Sequence, residues 1–423
     1  MHKKWLAAAA AVATVGMLAA CATPAADSGS GSDEKVTITY GIWAGTQTPA
    51  MQAIADAFEA ENPNITVEVQ ELPWPQYWST LQTGAAGGTA PDAFWMLAQQ
   101  IQPYAAGGQL LDITDAVKGA GVDLSNYPKA VIDLYDQGDG KLYGLPKDFD
   151  TNAVWYNKAL FDAAGVDYPA DDWTWEDFRA TAKALTNAEA GVWGVAAPID
   201  YQGGYYNTIF QAGGQVIFDD GKTAALDSPE AIAGIKFWTD LQADGSSPTL
   251  QQLSDTEAET MFEQGKVAMY WSGAYWALQL YNNTELRPNV DVAPLPTGKK
   301  QATVSSGIEN VGYVNTKHPA ETAKFLMFAS GPEAAKIQAE SGAVLPAYKG
   351  TAQTWMDAMP EFTHLQVFID AQAYAVPLPV QGNAAAWQGV QGDYLTAAWN
   401  GETSAADAAK AYADAINKVL AEG

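Results

Sequence analysis

The chain is poor in the side chains that most catalytic and metal sites require. It has one cysteine and three histidines in 423 residues, which excludes disulfide bonds within the chain and leaves no second thiolate for a metal site. No HExxH, GxSxG or complete Walker A pattern occurs. Gly221-Lys222-Thr223 imitates the end of a Walker A loop, but Val216 stands where its first glycine would be. Carboxylates are plentiful, so residue types alone leave open a glycosidase that uses two of them.

Basic residues are also scarce. The 22 Lys and Arg side chains are outnumbered by 49 Asp and Glu side chains, and the formal net charge is −27. Nucleic acid backbones and anionic lipid headgroups are themselves negative and would be repelled. We therefore expect no nucleic acid partner, and we expect a monomer that is kept soluble by its excess of acidic side chains.

The only strongly apolar stretch near the start is too short to span a bilayer. It runs from Trp5 to Ala20 and follows two lysines, Lys3 and Lys4, whereas a spanning helix needs about 18 apolar residues or more. A basic start, a short apolar run and small residues at its end are typical of a cleavable signal peptide. The sequence therefore predicts a signal peptide over residues 1–20.

The residues after this run predict a lipid anchor. Leu18-Ala19-Ala20-Cys21 resembles the lipobox of bacterial lipoproteins, which implies a diacylglyceryl group on Cys21, the only cysteine of the chain. Residues 22–35 are rich in Ala, Ser and Gly, a composition typical of a flexible tether. We expect the protein to be held at the extracytoplasmic face of the cell membrane through this lipid alone.

Strand and helix patterns alternate along the remaining chain. Apolar residues alternate over 36–40 and again over 65–69, and a helical pattern with a Thr-Pro start lies between them over 48–62. A strand, a helix and a second strand joined by short connections form a βαβ unit, which implies a parallel sheet covered by helices. Further helices are predicted to begin near Thr174, Ser228, Pro319 and Ser404. The predicted fold class is α/β.

Aromatic side chains are abundant and many lie in predicted loops. The chain has 15 tryptophans and 19 tyrosines, and Trp43, Trp78 and Trp276 lie beside turn-forming or polar residues. A flat ring can cover the apolar C–H face of a pyranose, while carboxylate and amide groups bind its hydroxyls. These rings suggest a sugar site, although core packing is the alternative for each ring taken singly.

Asp148 and Asp150 form a second candidate feature. In an extended segment, residues two apart point to the same side, so both carboxylates could reach one ligand. A pair exposed to solvent is the alternative interpretation. The pair follows Tyr143-Gly144-Leu145-Pro146 and precedes an apolar segment, which suggests a chain that crosses between two lobes.

Several short motifs occur in a characteristic order. They include AxxxAFExENP over 53–63, GTAPD over 88–92, DGKLYGLP over 139–146, WYNK over 155–158 and FxxGKxAM over 262–269. Their order and spacing, from residue 36 to the C-terminus, resemble the extracellular solute-binding proteins of family 1, the maltodextrin-type binding components of ABC sugar importers. No single motif is specific, and the resemblance rests on their succession.

This resemblance implies a two-lobe periplasmic-binding-protein fold of class II, with crossing strands that act as a hinge. Lobe 1 would comprise residues 36–148 with about 313–365, and lobe 2 residues 149–312 with about 366–423. The crossings would lie near 147–151 and 306–312. A sugar would bind in the cleft between the lobes, which close around it.

The resemblance also implies site residues. Asp150 matches a carboxylate that binds sugar hydroxyls, and Trp95 matches the tryptophan after the Ala-Pro-Asp turn. Tyr275 occupies the place of a stacking tryptophan, with Trp276 adjacent, and Trp387 matches a stacking aromatic near the C-terminus. The other residues in segments that line the cleft in the family are Trp43, Gln47, Trp78, Gln99, Tyr205, Tyr206 and Glu309. No catalytic residue, metal or cofactor is implied.

The sequence thus predicts a substrate-binding component that delivers a sugar, expected to be an oligosaccharide, to an ABC permease with a separate ATPase. Two alternatives stay open. One is a secreted glycosidase that uses Asp148 and Asp150, or Glu309 with either of them. The other is a lipoprotein that binds a different solute, such as a polyamine or a peptide, or another protein.

Overall fold

The structure is a computed structural model, and it describes residues 35–422. The predicted signal peptide, Cys21 and residues 22–34 of the predicted tether lie outside this range. Across the part that is described, none of the helices combines the length and the apolar character needed to cross a membrane.

Strands and helices alternate as the sequence predicts. The strands are β1 (Val36–Ile42), β2 (Ile65–Glu71), β3 (Ala93–Leu97), β4 (Gly144–Pro146), β5 (Asp150–Asn157), β6 (Trp193–Val195), β7 (Val267–Gly273), β8 (Val290–Ala293), β9 (Thr303–Ser306), β10 (Ile308–Gly312) and β11 (Ala375–Pro377). The helices of the first half are α1 (Thr48–Glu61), α2 (Trp74–Gly87), α3 (Ala98–Ala106), α4 (Thr114–Ala120), α5 (Lys129–Tyr135), α6 (Lys158–Ala164), α7 (Trp175–Leu185) and α8 (Tyr206–Gln211). Those of the second half are α9 (Pro229–Ala243), α10 (Leu250–Asp255), α11 (Ala258–Glu263), α12 (Ala277–Asn282), α13 (Pro319–Ala329), α14 (Pro332–Glu340), α15 (Ala352–Asp357), α16 (Gln366–Asp370), α17 (Ala384–Gly389), α18 (Gln391–Trp399) and α19 (Ala405–Ala421).

The first sheet has the strand order β2-β1-β3-β10-β4. β1 runs parallel to both β2 and β3, which confirms the predicted βαβ unit. Helix α1 buries Met51, Ile54 and Phe58, and the Phe58 ring packs edge-on against Phe325 of α13 at 5.3 Å. Each of these side chains contributes about 1.5–3 kcal/mol by leaving water, so the apolar spacing in the sequence fixes how the helix lies on the sheet.

The second sheet has the order β11-β9-β5-β7-β6, with β8 also paired to β5. Every residue of β5 is buried, so this strand forms the centre of the second core. Trp155 of β5 contacts Phe362 and Phe368 with ring centroids 5.5 and 5.6 Å apart. The segment that follows α15 therefore packs on the second sheet.

The chain passes from one sheet to the other at closely spaced points. The first passage, residues 147–149, joins β4 to β5, and the second is Gly307, which joins β9 to β10. The two passages approach so closely that a Cβ atom on Gly307 would lie 2.5 Å from the Asp148 carbonyl oxygen. Strand β10 pairs with β3 and β4 of the first sheet, although the predicted boundary at residue 312 assigned it to lobe 2. The other lobe boundaries stay a prediction.

Local capping signals were informative for the helices. Thr174 and Asp177 form a reciprocal capping box at the start of α7, in which the Thr174 N–H donates to Asp177 Oδ2 at 2.8 Å. Such a cap contributes about 1 kcal/mol. The predicted helix starts near Ser228, Pro319 and Ser404 are confirmed by α9, α13 and α19.

Candidate functional site

Asp150, the first residue of β5, carries the most informative atom of the structure. The side chain is buried, and Oδ1 accepts a hydrogen bond of 2.6 Å from the Ala274 N–H. Oδ2 is equally buried but has no hydrogen-bond partner among the described residues. Burial raises the pKa of this carboxyl well above its ordinary value of 3.8. Because buried polar atoms in proteins are nearly always paired, the unpaired Oδ2 is an acceptor that a donor from outside the chain would satisfy once the groups covering it move apart.

The end of β7 places an aromatic ring beside this carboxylate. A Cβ atom on Gly273 would lie 1.8 Å from Asp150 Oδ2 and 2.7 Å from Cδ1 of Tyr275, so only glycine allows the three groups to meet. Tyr275 is 48% exposed, and its hydroxyl accepts a 3.1 Å hydrogen bond from Ser272 Oγ. Desolvation nevertheless raises the pKa of this phenol. We call the Tyr275 ring and the adjacent Asp150 Oδ2 atom the recess, because a half-exposed ring here adjoins a buried carboxylate oxygen.

The neighbouring indole has a different role. Trp276 is buried in the short turn Ala274–Trp276 and packs against Phe262 and Tyr270 with centroids 5.3 and 5.4 Å away. It is therefore part of the second core, and Tyr275 is the ring that faces the recess. The expected loop position of Trp276 gave no information on which of the two adjacent rings would be accessible.

A turn before α8 adds polar groups that the sequence analysis missed. Residues Tyr201–Tyr205 form a π-helical turn, and the Tyr201 hydroxyl accepts a 3.0 Å hydrogen bond from Gln99 Nε2 of α3. Gln202 Nε2 donates to Ser306 Oγ at 2.9 Å, next to the second passage. The Gly203-Gly204 pair within it favours a turn, but a turn signal alone does not reveal that the neighbouring side chains join the two sheets.

Four aromatic rings surround Trp43 at the end of β1. Its ring centroid lies 5.5 Å from that of Trp74, 4.9 Å from Tyr77, 6.2 Å from Trp78 and 5.0 Å from Trp95. Trp74 is 49% exposed, and Trp43 and Trp78 are half-buried. The predicted loop position of Trp78 is wrong, because the residue lies in α2. We call Trp43, Trp74 and Trp78 the indole platform.

Trp95 supports this platform and offers no free face in this conformation. Its ring is fully buried, and its Nε1 donates a 2.5 Å hydrogen bond to the Tyr40 hydroxyl. The Lys147 ammonium lies 4.4 Å from the ring centroid. Trp43 meets Trp95 edge-on at 85°, so Trp95 helps to hold the indole that is more accessible.

Asp148 and Asp150 do not act as a pair. Asp148 Oδ2 binds the Lys147 ammonium at 2.9 Å, and its Oδ1 accepts from the Ile308 N–H at 2.8 Å. The same ammonium donates to Gln47 Oε1 at 2.9 Å. Both carboxylates are buried, so the alternative of a solvated pair is wrong, and within this conformation only Asp150 has an uncommitted oxygen.

The remaining predicted site residues lie in the two cores. Tyr205 and Tyr206 are fully buried, and the Tyr205 hydroxyl donates to Gln391 Oε1 at 3.0 Å. Trp387 is also fully buried, with its Nε1 bound to the Gln381 carbonyl at 3.1 Å. Glu309 is buried on β10, where desolvation raises its pKa well above 4.5. The structure does not bring these four side chains to the recess.

Among the residues that the structure describes, no group of three or more His, Cys, Asp or Glu side chains is arranged to hold a metal ion. The described residues offer an uncommitted carboxylate oxygen beside an accessible phenol ring at the second sheet, and a cluster of partly accessible indoles at the first sheet. Such a set can bind hydroxyl groups and cover apolar ring faces.

Comparison with known proteins agrees with this arrangement. The family model of bacterial extracellular solute-binding proteins matches residues 44–336. The maltodextrin-binding protein of Bacillus subtilis is 25% identical over 417 residues, which cover 95% of this chain and 93% of the relative. The arabinooligosaccharide-binding protein of Halalkalibacterium halodurans is 25% identical over 309 residues, which cover 70% and 68% of the two chains.

Solved structures give the same result for the fold. The ABC substrate-binding protein of Listeria monocytogenes in complex with cycloalternan has a TM-score of 0.84 and 30% identity, covering 92% of this chain and all of that one. The GacH receptor of Streptomyces glaucescens has a TM-score of 0.79 and 23% identity, covering 92% and 99% of the two chains. These neighbours confirm the predicted α/β two-lobe fold of class II. The chain therefore belongs to the bacterial extracellular solute-binding protein family.

Proposed function

We propose that this protein is the substrate-binding component of an ABC importer and captures an oligosaccharide between its two lobes. One observation carries the proposal. The buried Oδ2 atom of Asp150 lacks a partner in the described chain and lies beside Tyr275, which is half accessible within a recess. A sugar ring would stack on the phenol while one of its hydroxyls donates to Oδ2.

The indole platform supports a ligand of more than one sugar unit. It adds Trp43, Trp74 and Trp78 to the ring at Tyr275, and Trp74 is as accessible as Tyr275. The relatives named for maltodextrin and arabinooligosaccharide, and the 30% identical protein solved with cycloalternan, support an oligosaccharide as well. A dissociation constant of about 1 μM would need roughly −8 kcal/mol, which a few rings and one charge-assisted hydrogen bond can supply.

The remaining parts of the proposal concern transport. The lobes would close around the sugar by rotation at residues 147–149 and Gly307, with the Gln99–Tyr201 hydrogen bond forming across the closed cleft. The closed protein would deliver the sugar to permease subunits that a separate ATPase drives. A diacylglyceryl group on Cys21 would anchor the protein, because two acyl chains give stable attachment whereas one does not.

Two alternative functions have weaker support. A glycosidase needs two carboxyl groups that flank the bond to be cleaved, whereas Asp148 is committed to Lys147 and to the Ile308 N–H. A binding protein for another solute fits the same family, and one relative is named for amino-acid transport. The aromatic recess favours a sugar over a small charged solute, because apolar C–H faces stack on rings.

Calorimetric titration with a defined panel tests the proposal. The panel comprises maltotetraose, cycloalternan, an arabinooligosaccharide, spermidine and the common amino acids. We expect at least one oligosaccharide to bind without being consumed. Chromatography of the titrated sugar that reveals cleavage products would favour the glycosidase. Binding of spermidine or an amino acid, with no response to any sugar, would refute the oligosaccharide assignment.

A further inference from the structure

Lys147 is the one lysine of the chain that the structure buries completely in an ion pair, counting the described residues 35–422. Its ammonium contacts Asp148 Oδ2 and Gln47 Oε1, both at 2.9 Å, and lies 4.4 Å from the centre of the Trp95 ring. A carboxylate, an amide oxygen and a ring face together replace the water that a lysine loses on burial. The ammonium therefore has no free face for a ligand.

The ion pair is built into the passages between the two sheets. The backbone N–H of Lys147 donates to the Ile308 carbonyl at 2.8 Å, and Asp148 Oδ1 accepts from the backbone N–H of Ile308 at 2.8 Å. The Lys147 carbonyl accepts from the Ala347 N–H at 3.1 Å. Lys147 and Asp148 thus hold together the first passage, the residue after the second passage and the segment near residue 346.

The other end of the same cluster reaches the indole platform. Trp95 is fixed on one side by Lys147 and at its Nε1 by the Tyr40 hydroxyl, which in turn donates to Asn310 Oδ1 at 2.6 Å. Trp43 packs edge-on against Trp95 with centroids 5.0 Å apart. A continuous set of contacts therefore runs from the backbone at Ile308 through Asp148, Lys147 and Trp95 to Trp43.

We propose that Lys147 is a positioning residue that couples the passages between the lobes to the indole platform. The ammonium holds Trp95, and Trp95 holds the edge of Trp43, so the orientation of Trp43 depends on the conformation of residues 147–149. Lys147 itself does not touch the ligand. Its effect on affinity, which rests on the proposed function, arises because a ring that is held in place binds a sugar without first being ordered.

The test uses the full-length protein labelled with 5-fluorotryptophan and observed by fluorine NMR without ligand. The Trp43 resonance is assigned from its loss in Trp43→Phe. The main variant is the double substitution Lys147→Met with Asp148→Asn, which removes both charges together and so leaves no buried charge unpaired. The matched control is Asp291→Asn, which alters another buried carboxylate that accepts hydrogen bonds from Thr363 and contacts His364.

We expect the Trp43 resonance to shift or broaden in the double variant and to stay unchanged in Asp291→Asn. Among the described residues, the Lys147 ammonium contacts the Trp95 ring, Asp148 and Gln47, and Trp43 packs on Trp95, so a change at Trp43 reports transmission through Trp95. An unchanged Trp43 resonance in the folded double variant would overturn the proposal. If the double variant does not fold, Gln47→Leu, which removes one acceptor of the ammonium, decides the question by the same criterion.

The affinity arm uses maltotetraose and cycloalternan as probes. For a probe that binds the unsubstituted protein, we expect a loss of about two- to thirty-fold in the double variant, the range in which coupled residues act, and no loss in Asp291→Asn. A changed Trp43 resonance with unaltered affinity would contradict the functional role. If neither probe binds the unsubstituted protein, the oligosaccharide assignment fails for these probes, while the Trp43 resonance still decides the positioning role.

Discussion

Two aspartates two residues apart are expected to respond in opposite directions to the same substitution. Asp150 has a buried oxygen that lacks a partner within residues 35–422, and burial raises the pKa of its carboxyl. Asp148 is buried at least as well but is bonded to Lys147 and to the Ile308 N–H. Replacement by asparagine keeps the shape of both side chains, so the comparison isolates the charge.

For Asp150→Asn we expect a ligand-free protein that is more stable at neutral pH. A carboxyl whose pKa is raised by folding binds its proton more tightly in the folded state, so its contribution to stability is lost as pH rises from 3.8 through the folded pKa. The asparagine amide carries no charge, so this loss disappears. Affinity should fall about 10- to 150-fold, because one hydrogen bond to a charged group contributes about 1.5–3 kcal/mol.

For Asp148→Asn we expect the opposite effect on stability. The substitution leaves the buried Lys147 ammonium without its counter-ion, and breaking a buried ion pair by removing one partner costs about 3–5 kcal/mol. The assay is thermal unfolding of the ligand-free variants at pH 5 and pH 8, followed by calorimetric titration with the best oligosaccharide. If Asp150→Asn is less stable than the unsubstituted protein at pH 8 and its affinity for the sugar is unaltered, our interpretation of Asp150 Oδ2 as the acceptor for a ligand hydroxyl is refuted.

Three further predictions distinguish side chains that bind the sugar from side chains that stabilise the cores. Trp74→Ala should weaken sugar binding by about fivefold or more, the equivalent of roughly 1 kcal/mol of stacking, while the comparably exposed Phe218→Ala should leave titrations unchanged. Gly273→Ala should lower the free energy of unfolding by about 1–3 kcal/mol and abolish tight binding, because the new Cβ would lie 1.8 Å from Asp150 Oδ2. A variant that binds the sugar normally would contradict the close approach of Gly273 to Asp150. Trp387→Ala should cost about 3–5 kcal/mol in urea unfolding, whereas Tyr275→Ala should alter mainly affinity. Equal stability losses in the last two variants would mean that Tyr275 is not in an accessible recess.

Much of the fold could be predicted because its signals are local. The alternation in β1 and β2, the apolar face of α1 and the capping box at Thr174 each depend on residues within one turn or a few positions. The sheet order could not be derived in this way. Strand β10 joins the first sheet through pairs with β3 and β4 that are distant in sequence, and nothing within residues 308–312 marks that choice.

The site was predicted unevenly for a related physical reason. Asp150 and Tyr275 were named from motif positions, and the structure brings them together because Gly273 permits the approach. Trp387 was named on the same grounds, and Tyr205 and Tyr206 were named from segments that line the cleft in the family, but all three lie in the cores. Whether an aromatic ring faces a cleft or a core depends on which helices pack over it, and the composition of a loop or helix does not contain that information.

The contrast between Asp148 and Asp150 explains why their spacing of two residues does not by itself predict the role of each carboxylate. Residues two apart in an extended segment share a side, and on that basis both carboxylates were candidates for one ligand. The passage from one sheet to the other begins at Lys147, whose ammonium forms an ion pair with Asp148. Asp150, in contrast, is the first residue of the buried strand β5. The Asp148 carboxylate thereby holds the passages together, and Asp150 Oδ2 remains without a hydrogen-bond partner among the described residues. The passages between the sheets and the proposed ligand site are therefore built from adjacent residues, so we expect a substitution in one to alter the other.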